Sequence, residues 1–385
     1  MLLPILLLSA AGFTVLTTEF IIVGLLPSIA RDLQVSIPQA GLLVTLFAFT
    51  VAAFGPFLTA YCARFERRRL FITVLVIFGL SNALAAMAPN IGVMALARLI
   101  PALGLPVFWA LASETAVDIV GPDYAGRAIA KIGFGIVCAT VFGIPIGTLI
   151  SDAFGWRSAF GLLSLIAFAK ALLLFVYLPA TDLHQRPASL GSQFKILRSP
   201  LLQGHMLLSI LVFSGMFTAY TYLADILERL AGFNGTLVGW CLMGFGAAGL
   251  IGNSLGGRMV DRHPLMASMV FCAFLVCGMV ALVPSIHSTL GLAAALGIWG
   301  VTQAALFLVS HVRLIKVAPQ APAFAASLNI AAANLGIGLG ALVGGRVIDT
   351  LGLGSLGYTA AGFILGSIVL ALLLMRFKSP TVCIP

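Results

Sequence analysis

The sequence predicts an all-α membrane protein of twelve transmembrane helices in two pseudo-symmetric six-helix bundles. Three observations lead to this fold class: the composition, a series of long apolar segments and an internal repeat. Hydrophobic residues make up 61% of the 385 residues and charged residues only 9%, whereas a soluble globular chain carries about 25% charged residues. Because so few charges cannot cover a water-facing surface, the composition argues against soluble enzymes, DNA-binding domains and secreted disulfide scaffolds, and favours a lipid bilayer.

Twelve apolar segments follow one another along the chain, each about as long as the roughly 20 residues that a helix needs to cross a bilayer. Pro, Gly and charged residues separate them. The first segment contains Glu19 and no basic residue precedes it, so it is predicted to be the first spanning helix and not a cleaved signal peptide. The segments lie near residues 3–27, 38–62, 70–88, 91–117, 128–150, 158–178, 204–227, 237–260, 265–284, 289–312, 322–346 and 356–375.

The 21 Lys and Arg residues are distributed unevenly between the two ends of these segments. If both termini face the cytoplasm, fifteen basic residues, Arg313 among them, fall at cytoplasmic ends and four fall at the opposite ends. Cytoplasmic loops of membrane proteins are enriched in Lys and Arg, so this bias predicts twelve spans with both termini inside. Two basic residues remain within spans: Arg98, and Lys170, which is expected to extend towards an interface.

An internal repeat divides the chain into two halves. The longest connection between apolar segments predicts an N-terminal bundle at 1–180, a cytoplasmic linker at 181–200 and a C-terminal bundle at 201–385. A constant offset near half the chain length is what parallel duplicated halves give. The pattern Gly143, Gly147, Asp152, Gly155 recurs 197 residues later, with the same gaps, as Gly340, Gly344, Asp349, Gly352.

Two charged residues fall inside predicted spans at similar depth. At 1.5 Å per residue, Glu19 in the first span and Arg98 in the fourth are each expected about 10–12 Å below the same membrane boundary. Ionisable groups in a bilayer are expensive and are functional candidates by default. Glu19 is therefore predicted to take and release a proton while Arg98 tunes its proton affinity or holds the cargo. The alternative is a static buried ion pair.

Further polar and aromatic side chains in the spans are candidates either for lining a cavity or for joining helices. Asp225, which follows two tyrosines near one end of the seventh span, suits a cargo-contacting patch or a solvated helix end. Glu114 and Asp118, near the cytoplasmic end of the fourth span, suit a gate or a solvated helix end. The predicted cargo-binding residues are Thr18, Phe108, Trp109, Tyr220, Tyr222, Asp225, Gln303, Asn329 and Asn334.

No metal site, cofactor or catalytic centre is predicted. The six cysteines form no CxxC pair and are interpreted as small core residues. Residues 244–249 fit a dinucleotide-binding fingerprint but lie inside an apolar helix without a preceding strand. Residues 252–256 fit the spacing of a hydrolase nucleophile elbow without its strand-turn-helix context. A Walker A lysine is also missing, so ATP is not the expected energy source.

Several motifs together resemble one transporter family. Thr17-Thr18-Glu19-Phe20, followed by residues 24–27, is similar to the first-helix signature of the major facilitator superfamily, drug:proton antiporter-1 type. Bacterial sugar, arabinose, chloramphenicol and purine nucleoside efflux proteins share that signature. Ala97-Arg98-Leu99 resembles the helix-four motif whose arginine is linked to proton coupling. Gly143, Pro145 and Gly147 stand in a stretch that resembles the antiporter motif of helix five.

The gating loops resemble the family with one departure. After the second helix Ala63 stands where this loop usually has an Asp, although the basic residues that follow are kept. The corresponding loop after the eighth helix keeps its Asp. The residues that the resemblance assigns to gating are Arg64, Arg67, Arg68, Asp261 and Arg262, to which Glu114 and Asp118 are added from their position.

The resemblance implies a proton-coupled antiporter that exports a small amphipathic molecule, such as a drug, sugar or nucleoside, by alternating access. It also implies a monomeric protein of the bacterial inner membrane, with protons, a small molecule and the lipid bilayer as partners and no nucleic acid. The alternatives are a proton-driven importer of the same fold, a non-transporting membrane sensor and an intramembrane hydrolase.

Overall fold

The computed structural model describes residues 2–120, 125–179, 196–319 and 321–376, and these residues form a bundle of α-helices. A π-helical turn, Ala139–Gly143, joins α5 to α6, and a short 3-10 turn, Leu353–Ser355, precedes the last helix. The helices are α1 Leu2–Asp32, α2 Ile37–Cys62, α3 Arg67–Ala86, α4 Ile91–Val120, α5 Ala125–Cys138, α6 Ile144–Phe154, α7 Trp156–Tyr177, α8 Pro200–Tyr220, α9 Leu223–Arg229, α10 Gly235–Val260, α11 Pro264–Leu282, α12 Thr289–Val317, α13 Pro322–Leu351 and α14 Leu356–Arg376.

Within the described residues, twelve helical stretches are long and apolar enough to cross a membrane, which confirms the predicted number of spans. The fifth span combines α5, the π-helical turn and α6, and the seventh combines α8 and α9. Residues 181–195 of the predicted linker, 181–200, lie outside the described residues. We call α1 to α7 the first six spans and α8 to α14 the last six.

The two ends of the bundle are named here by a residue that lies at each. The Arg31 end carries the turns at 33–36, 87–90 and 230–234, and the Arg67 end carries the turns at 63–66 and 261–263. Local sequence fixes where helices start at both ends: Ser36 and Gln39 form a capping box at the start of α2, and Ser199 caps α8. These side chains satisfy backbone N–H groups that have no partner within the first helical turn.

The first helix is longer than predicted, because α1 continues through Pro27 to Asp32. Proline was interpreted as a helix end, but spanning helices tolerate it when neighbouring groups satisfy the freed carbonyl. Glu19 is consequently thirteen residues from the end of α1, or about 20 Å at 1.5 Å per residue. Glu19 therefore lies near the middle of its helix, farther from the helix end than the roughly 10–12 Å that follows from ending the span at Pro27.

The first six and last six spans meet mainly where α2 packs against α13 and where the π-helical turn and α6 pack against α10, with a smaller contact between α1 and α9. Close backbone approach makes this possible at Gly246, where a Cβ atom would lie 2.6 Å from the carbonyl oxygen of Thr140. On the other pair, the Thr45 hydroxyl donates to the carbonyl oxygen of Gly338 at 3.2 Å. Small residues of this kind allow helices to pack tightly where lipid offers no hydrophobic driving force.

Candidate coupling and cargo site

A small cavity lies between α1, α2 and α4 of the first six spans and α13 of the last six. Its volume is about 10 Å³, which is about the space that one water molecule needs and is too small for a cargo molecule. The conformation is therefore one in which the cavity is contracted. Its walls are apolar except for one carboxyl and one guanidinium group, and consist of Glu19, Phe20, Val23, Val44, Phe47, Ala48, Arg98 and Ile337.

Arg98 is fully buried and binds the backbone of α1. Its guanidinium group donates to the carbonyl oxygen of Thr18 and, at 2.6 Å, to the carbonyl oxygen of Glu19. The group also lies over the Phe47 ring, 4.6 Å from its centroid, where a cation–π attraction stabilises it. These contacts hold one turn of α1 against α4.

The Glu19 carboxyl group faces the cavity and is 7% exposed. Among the described residues it forms neither a hydrogen bond nor an ion pair, since Arg98 binds carbonyl oxygens and not this carboxyl group. The expected pairing of the two side chains is therefore replaced by a side chain-to-backbone contact, although the positive charge of Arg98 remains close. Glu19 can consequently change protonation without breaking a direct ion pair.

Asn82 provides a third contact to the same turn of α1. Its side-chain amide on α3 donates to the Thr18 hydroxyl at 3.0 Å, and both residues are buried. Polar side chains in the spans were expected either to line a cavity or to join helices, and Asn82 joins two helices through this hydrogen bond. The turn that carries Glu19 is thus held from α3 and from α4.

The antiporter-like stretch packs against the turns of α1 on either side of Glu19. A Cβ atom at Gly143 would lie 2.2 Å from the Thr17 hydroxyl oxygen, and one at Gly147 would lie 2.4 Å from a methyl carbon of Ile21. Pro145 lies between them, in the first turn of α6. Larger residues at the two glycines would push α6 away from the helix that positions the carboxyl group.

Lys170 does not extend to an interface as expected. It lies half-buried on α7, where its ammonium group donates to the Ala10 carbonyl oxygen and, at 2.8 Å, to the Thr14 hydroxyl of α1. Lys170 therefore joins α7 to the N-terminal half of α1, because two hydrogen-bond acceptors of α1 lie within its reach.

None of the nine predicted cargo-binding residues is among the walls of the cavity in this conformation. Phe108 and Trp109 pack edge to face at 5.5 Å, and Tyr220 stacks on Phe245 at 5.3 Å. Gln303 accepts a hydrogen bond from the Trp299 indole at 2.8 Å. In this conformation these side chains contact other side chains of the bundle and not the cavity.

The two asparagines of α13 also make local contacts. The Asn329 side chain lies 3.4 Å from the Ser209 hydroxyl, and the Asn334 amide donates to the Ile330 carbonyl oxygen at 3.1 Å. Sequence reasoning missed most of the apolar wall residues, including Val23, Val44 and Ile337. Apolar residues on a spanning helix give no signal that separates cavity-facing from packed positions.

Asp225 is 1% exposed, so the interpretation as a solvated helix end was wrong. It lies in α9, which follows a two-residue break in the seventh span, and the Arg229 guanidinium group lies 3.4 Å away. Tyr222, at the break, donates its hydroxyl to the carbonyl oxygen of Ala341 at 2.7 Å. Next to them, Arg31 of α1 forms an ion pair with Glu228 at 2.6 Å.

Four predicted gating residues of the Arg67 end make contacts within the first six spans. Arg67 forms an ion pair with Glu114 at 2.9 Å, where the Glu114 side chain is 48% exposed. Arg68 donates to the carbonyl oxygen of Phe175, and Arg64 lies over the Tyr61 ring, 3.7 Å from its centroid.

The remaining gating candidates are exposed at the same end. Asp118 and Arg262 lie at the surface, and Asp261 has Lys316 at 3.9 Å. Lys316 belongs to the last six spans, as Asp261 does, and it also donates to the Asp261 carbonyl oxygen at 2.7 Å. None of these contacts joins the first six spans to the last six, so they do not hold the Arg67 end closed.

Arg313 was predicted to lie just past the end of the tenth span, at residue 312, and this was wrong. Because α12 continues to Val317, Arg313 lies inside the helix bundle with 0% exposure. Its guanidinium group donates to the Ser209 hydroxyl at 2.8 Å, while its Nε and Nη1 atoms have no hydrogen-bond partner among the described residues. A cluster of three or more His, Cys, Asp or Glu side chains able to hold a metal ion does not occur in the described part of the chain.

Comparison with known proteins decides the family. Residues 8–323 and, in a second match, 226–382 fit the Major Facilitator Superfamily. The chain belongs to this superfamily. It is 32% identical over 383 residues to the inner membrane transport protein YdhP of Escherichia coli (strain K12), with 99% of this chain and 98% of that protein covered.

Two further comparisons agree with this assignment. The chain is 31% identical over 363 residues to a probable sugar efflux transporter of Pasteurella multocida (strain Pm70), covering 94% of this chain and 90% of the relative. A solved structure of a bacterial homologue of the human lysosomal transporter Spinster, inward-facing and occupied, superimposes with a TM-score of 0.79 over 98% of both chains at 17% identity. That likeness shows the fold. The predicted family and fold are therefore confirmed, and the chain is a membrane transporter and not an enzyme.

Proposed function

We propose that this transporter is a proton-coupled antiporter that exports a small amphipathic molecule, such as a drug, sugar or nucleoside, across a bacterial inner membrane. The observation that carries the proposal is the Glu19 carboxyl group, which is buried in the cavity wall without a direct ion pair. An intramembrane carboxyl group placed in this way marks a proton relay more often than a structural contact.

Proton binding at Glu19 changes the balance between two conformations. A charged carboxylate in a contracted, apolar cavity is costly, whereas the same group is well solvated when the cavity is open to water. Protonation therefore favours the contracted cavity and deprotonation favours an open, hydrated one. A ligand that binds two states unequally shifts their populations, and here both the proton and the cargo do so.

Arg98 is a positioning residue in this scheme. Its bonds to the carbonyl oxygens of Thr18 and Glu19 fix the turn that carries the carboxyl group, and its positive charge lies close enough to adjust the affinity of Glu19 for protons. A positive charge near a carboxyl group favours its ionised form. Arg98 thereby allows proton release into the open cavity, which a carboxyl group in purely apolar surroundings would resist.

The direction of transport and the cargo class rest on two arguments. Two relatives are named sugar efflux transporters, which supports export. The cavity walls are mostly apolar with one acidic and one basic group, which supports an amphipathic cargo. A proton crossing about 100 mV releases about 2.3 kcal/mol, enough for a cargo gradient of about forty-fold at one proton per molecule.

The rest of the mechanism follows the superfamily pattern. The first six and last six spans are proposed as two bundles that rock about the cavity, with both termini and the Arg67 end in the cytoplasm. The predicted gating residues of the Arg67 end then form contacts across the bundles when that end closes. The nine predicted cargo-binding residues line the cavity as it widens.

The test uses purified protein in proteoliposomes. A thermal-stability screen of sugars, nucleosides and amphenicols first selects a cargo. Glu19→Gln is expected to keep cargo exchange between equal concentrations and to lose transport driven by a pH gradient. Asp349→Asn, which neutralises an exposed carboxylate, is the matched control and should retain both. Transport driven by the pH gradient in Glu19→Gln would overturn the proposal, and uptake in right-side-out vesicles would favour an importer.

A further inference from the structure

We propose that Asp225 is a second proton-coupling residue, which links proton binding to closure of a gate at the Arg31 end. The inference rests on the proposed function in one respect, that the transporter is driven by protons. It assigns to Asp225 a role that is separate from that of Glu19 and that comes in addition to the cargo contact proposed above.

The first argument is the break in the seventh span. The helix ends at Tyr220 and resumes as the seven-residue α9 at Leu223. The break allows α9 to change its angle relative to α8 while its hydrogen bonds stay intact. Asp225 lies on this short segment and is enclosed, with only 2% of its side chain exposed.

The second argument is that α9 closes against the first six spans. Glu228 forms its ion pair with Arg31 of α1 at 2.6 Å. Tyr222 lies so close to α2 that a Cβ atom at Gly41 would be 2.2 Å from the tyrosine hydroxyl oxygen. A further latch at the same end joins the two groups of spans, because the Thr236 hydroxyl donates to the Asp152 carboxylate at 2.6 Å. The Arg31 end is therefore closed, and α9 is part of its seal.

The third argument concerns the charges that act on Asp225. On its own helix these are Arg229 and Glu228, and from α1 Arg31 faces it. The Arg229 side chain is 60% exposed and lies at 3.4 Å, which makes it a weakly held partner. Glu228 carries a charge of the same sign and is itself engaged by Arg31. A negative charge on Asp225 is thus poorly compensated while the gate is closed.

Closure of the gate is therefore coupled to the binding of a proton by Asp225. Burial disfavours a charged carboxyl group that lacks full compensation, so Asp225 enters the closed state neutral. Moving α9 away from α1 separates Arg31 from Glu228 and admits water to Asp225, which then ionises. Closure is therefore favoured as the pH on the Arg31 side falls and disfavoured as it rises, which matches protons entering from that side.

The experiment measures how open the Arg31 end is. Val23 lines the cavity on the Arg31 side of Glu19, so Val23→Cys, in a background with the native cysteines replaced, reports access from that end. Right-side-out vesicles are treated with a membrane-impermeant maleimide at several pH values. Labelling is normalised to Thr350→Cys, an exposed position at the same end, which removes the intrinsic pH dependence of the thiol.

The reporter is expected to lose labelling as the pH falls, and each linked proton, at Glu19 or at Asp225, contributes at most about tenfold per pH unit. Asp225→Asn should label less than the wild type at every pH, because the neutral amide favours the closed gate, and it should keep only the part of the pH dependence that Glu19 contributes. Asp225→Glu should restore the pH dependence, and Asp349→Asn should behave as the wild type. If Asp225→Asn keeps the full pH dependence, or labels strongly at all pH values, the proposal is overturned.

A second comparison separates this proposal from the proposed function. In Glu19→Gln, part of the pH dependence of labelling should remain, and adding Asp225→Asn should abolish it. If Glu19→Gln alone abolishes it, then Asp225 has no proton-coupling role. Retention of pH-driven transport in Glu19→Gln would refute the role of Glu19 and leave the labelling result at Asp225 to stand by itself. Size-exclusion elution of each variant confirms that it is folded.

Discussion

The ion pair between Arg31 and Glu228 offers a quantitative test of how the Arg31 end is held closed. Removing it with Arg31→Ala should shift the balance between closed and open states towards open. The two side chains are 66% and 18% exposed, and exposed pairs contribute about 0.2–1 kcal/mol. The expected shift is therefore about 1.4-fold to 5-fold in the ratio of open to closed protein.

The assay is the rate at which Val23→Cys is labelled from the Arg31 side. Labelling should rise within that range in Arg31→Ala and in Glu228→Gln. Reversing the pair with Arg31→Glu and Glu228→Arg should return it close to the starting rate. The control is Arg346→Ala, which removes an exposed positive charge at the same end. Equal labelling in Arg31→Ala and wild type, or no recovery in the reversed pair, would refute the reasoning.

Three further predictions follow from contacts around α1 and between the groups of spans. Gly246→Ala should lower the free energy of unfolding by about 1–3 kcal/mol, and with it the melting temperature, because the new Cβ atom would meet the Thr140 carbonyl oxygen. Gly244→Ala should leave both unchanged, because no packing neighbour among the described residues lies within 4 Å of the new Cβ atom. Asn82→Ala should lower the free energy of unfolding by about 1 kcal/mol and alter the pH profile of transport. Adding Thr18→Val to Asn82→Ala should lower the free energy of unfolding little further, and additive effects of the two substitutions would contradict the hydrogen bond. Arg98→Lys should reduce pH-driven transport about tenfold or more, because a lysine reproduces the two bonds to α1 poorly, and an unchanged rate and pH profile would contradict its positioning role.

The number of spans was predictable because each is long, apolar and separated from the next by polar or helix-breaking residues. The helix ends were not predictable, because proline was interpreted as a helix end and arginine as a residue outside the spans. Pro27 is inside α1, and Arg313 is buried in α12, where the Ser209 hydroxyl accepts from it. A buried donor with an acceptor on another helix cannot be distinguished from a loop arginine in one sequence.

The two charged residues of the cavity were identified from the sequence, but their geometry was not. The cost of charges in a bilayer identified Glu19 and Arg98, and the structure brings both to one cavity. Every residue has a backbone carbonyl group, so the sequence could not predict that Arg98 binds the carbonyl oxygens of Thr18 and Glu19. Asp225 was found as a candidate for the same reason as Glu19, while its burial depends on how α9 packs against α1.

The most direct test of the central claim is proton release on cargo binding. Purified transporter in weakly buffered solution receives a cargo selected by the stability screen, and a pH indicator records the protons released. The account predicts release from the wild type as cargo displaces the proton of Glu19, and no release from Glu19→Gln with binding retained. Equal release from both proteins would contradict Glu19 as the residue that exchanges a proton for cargo.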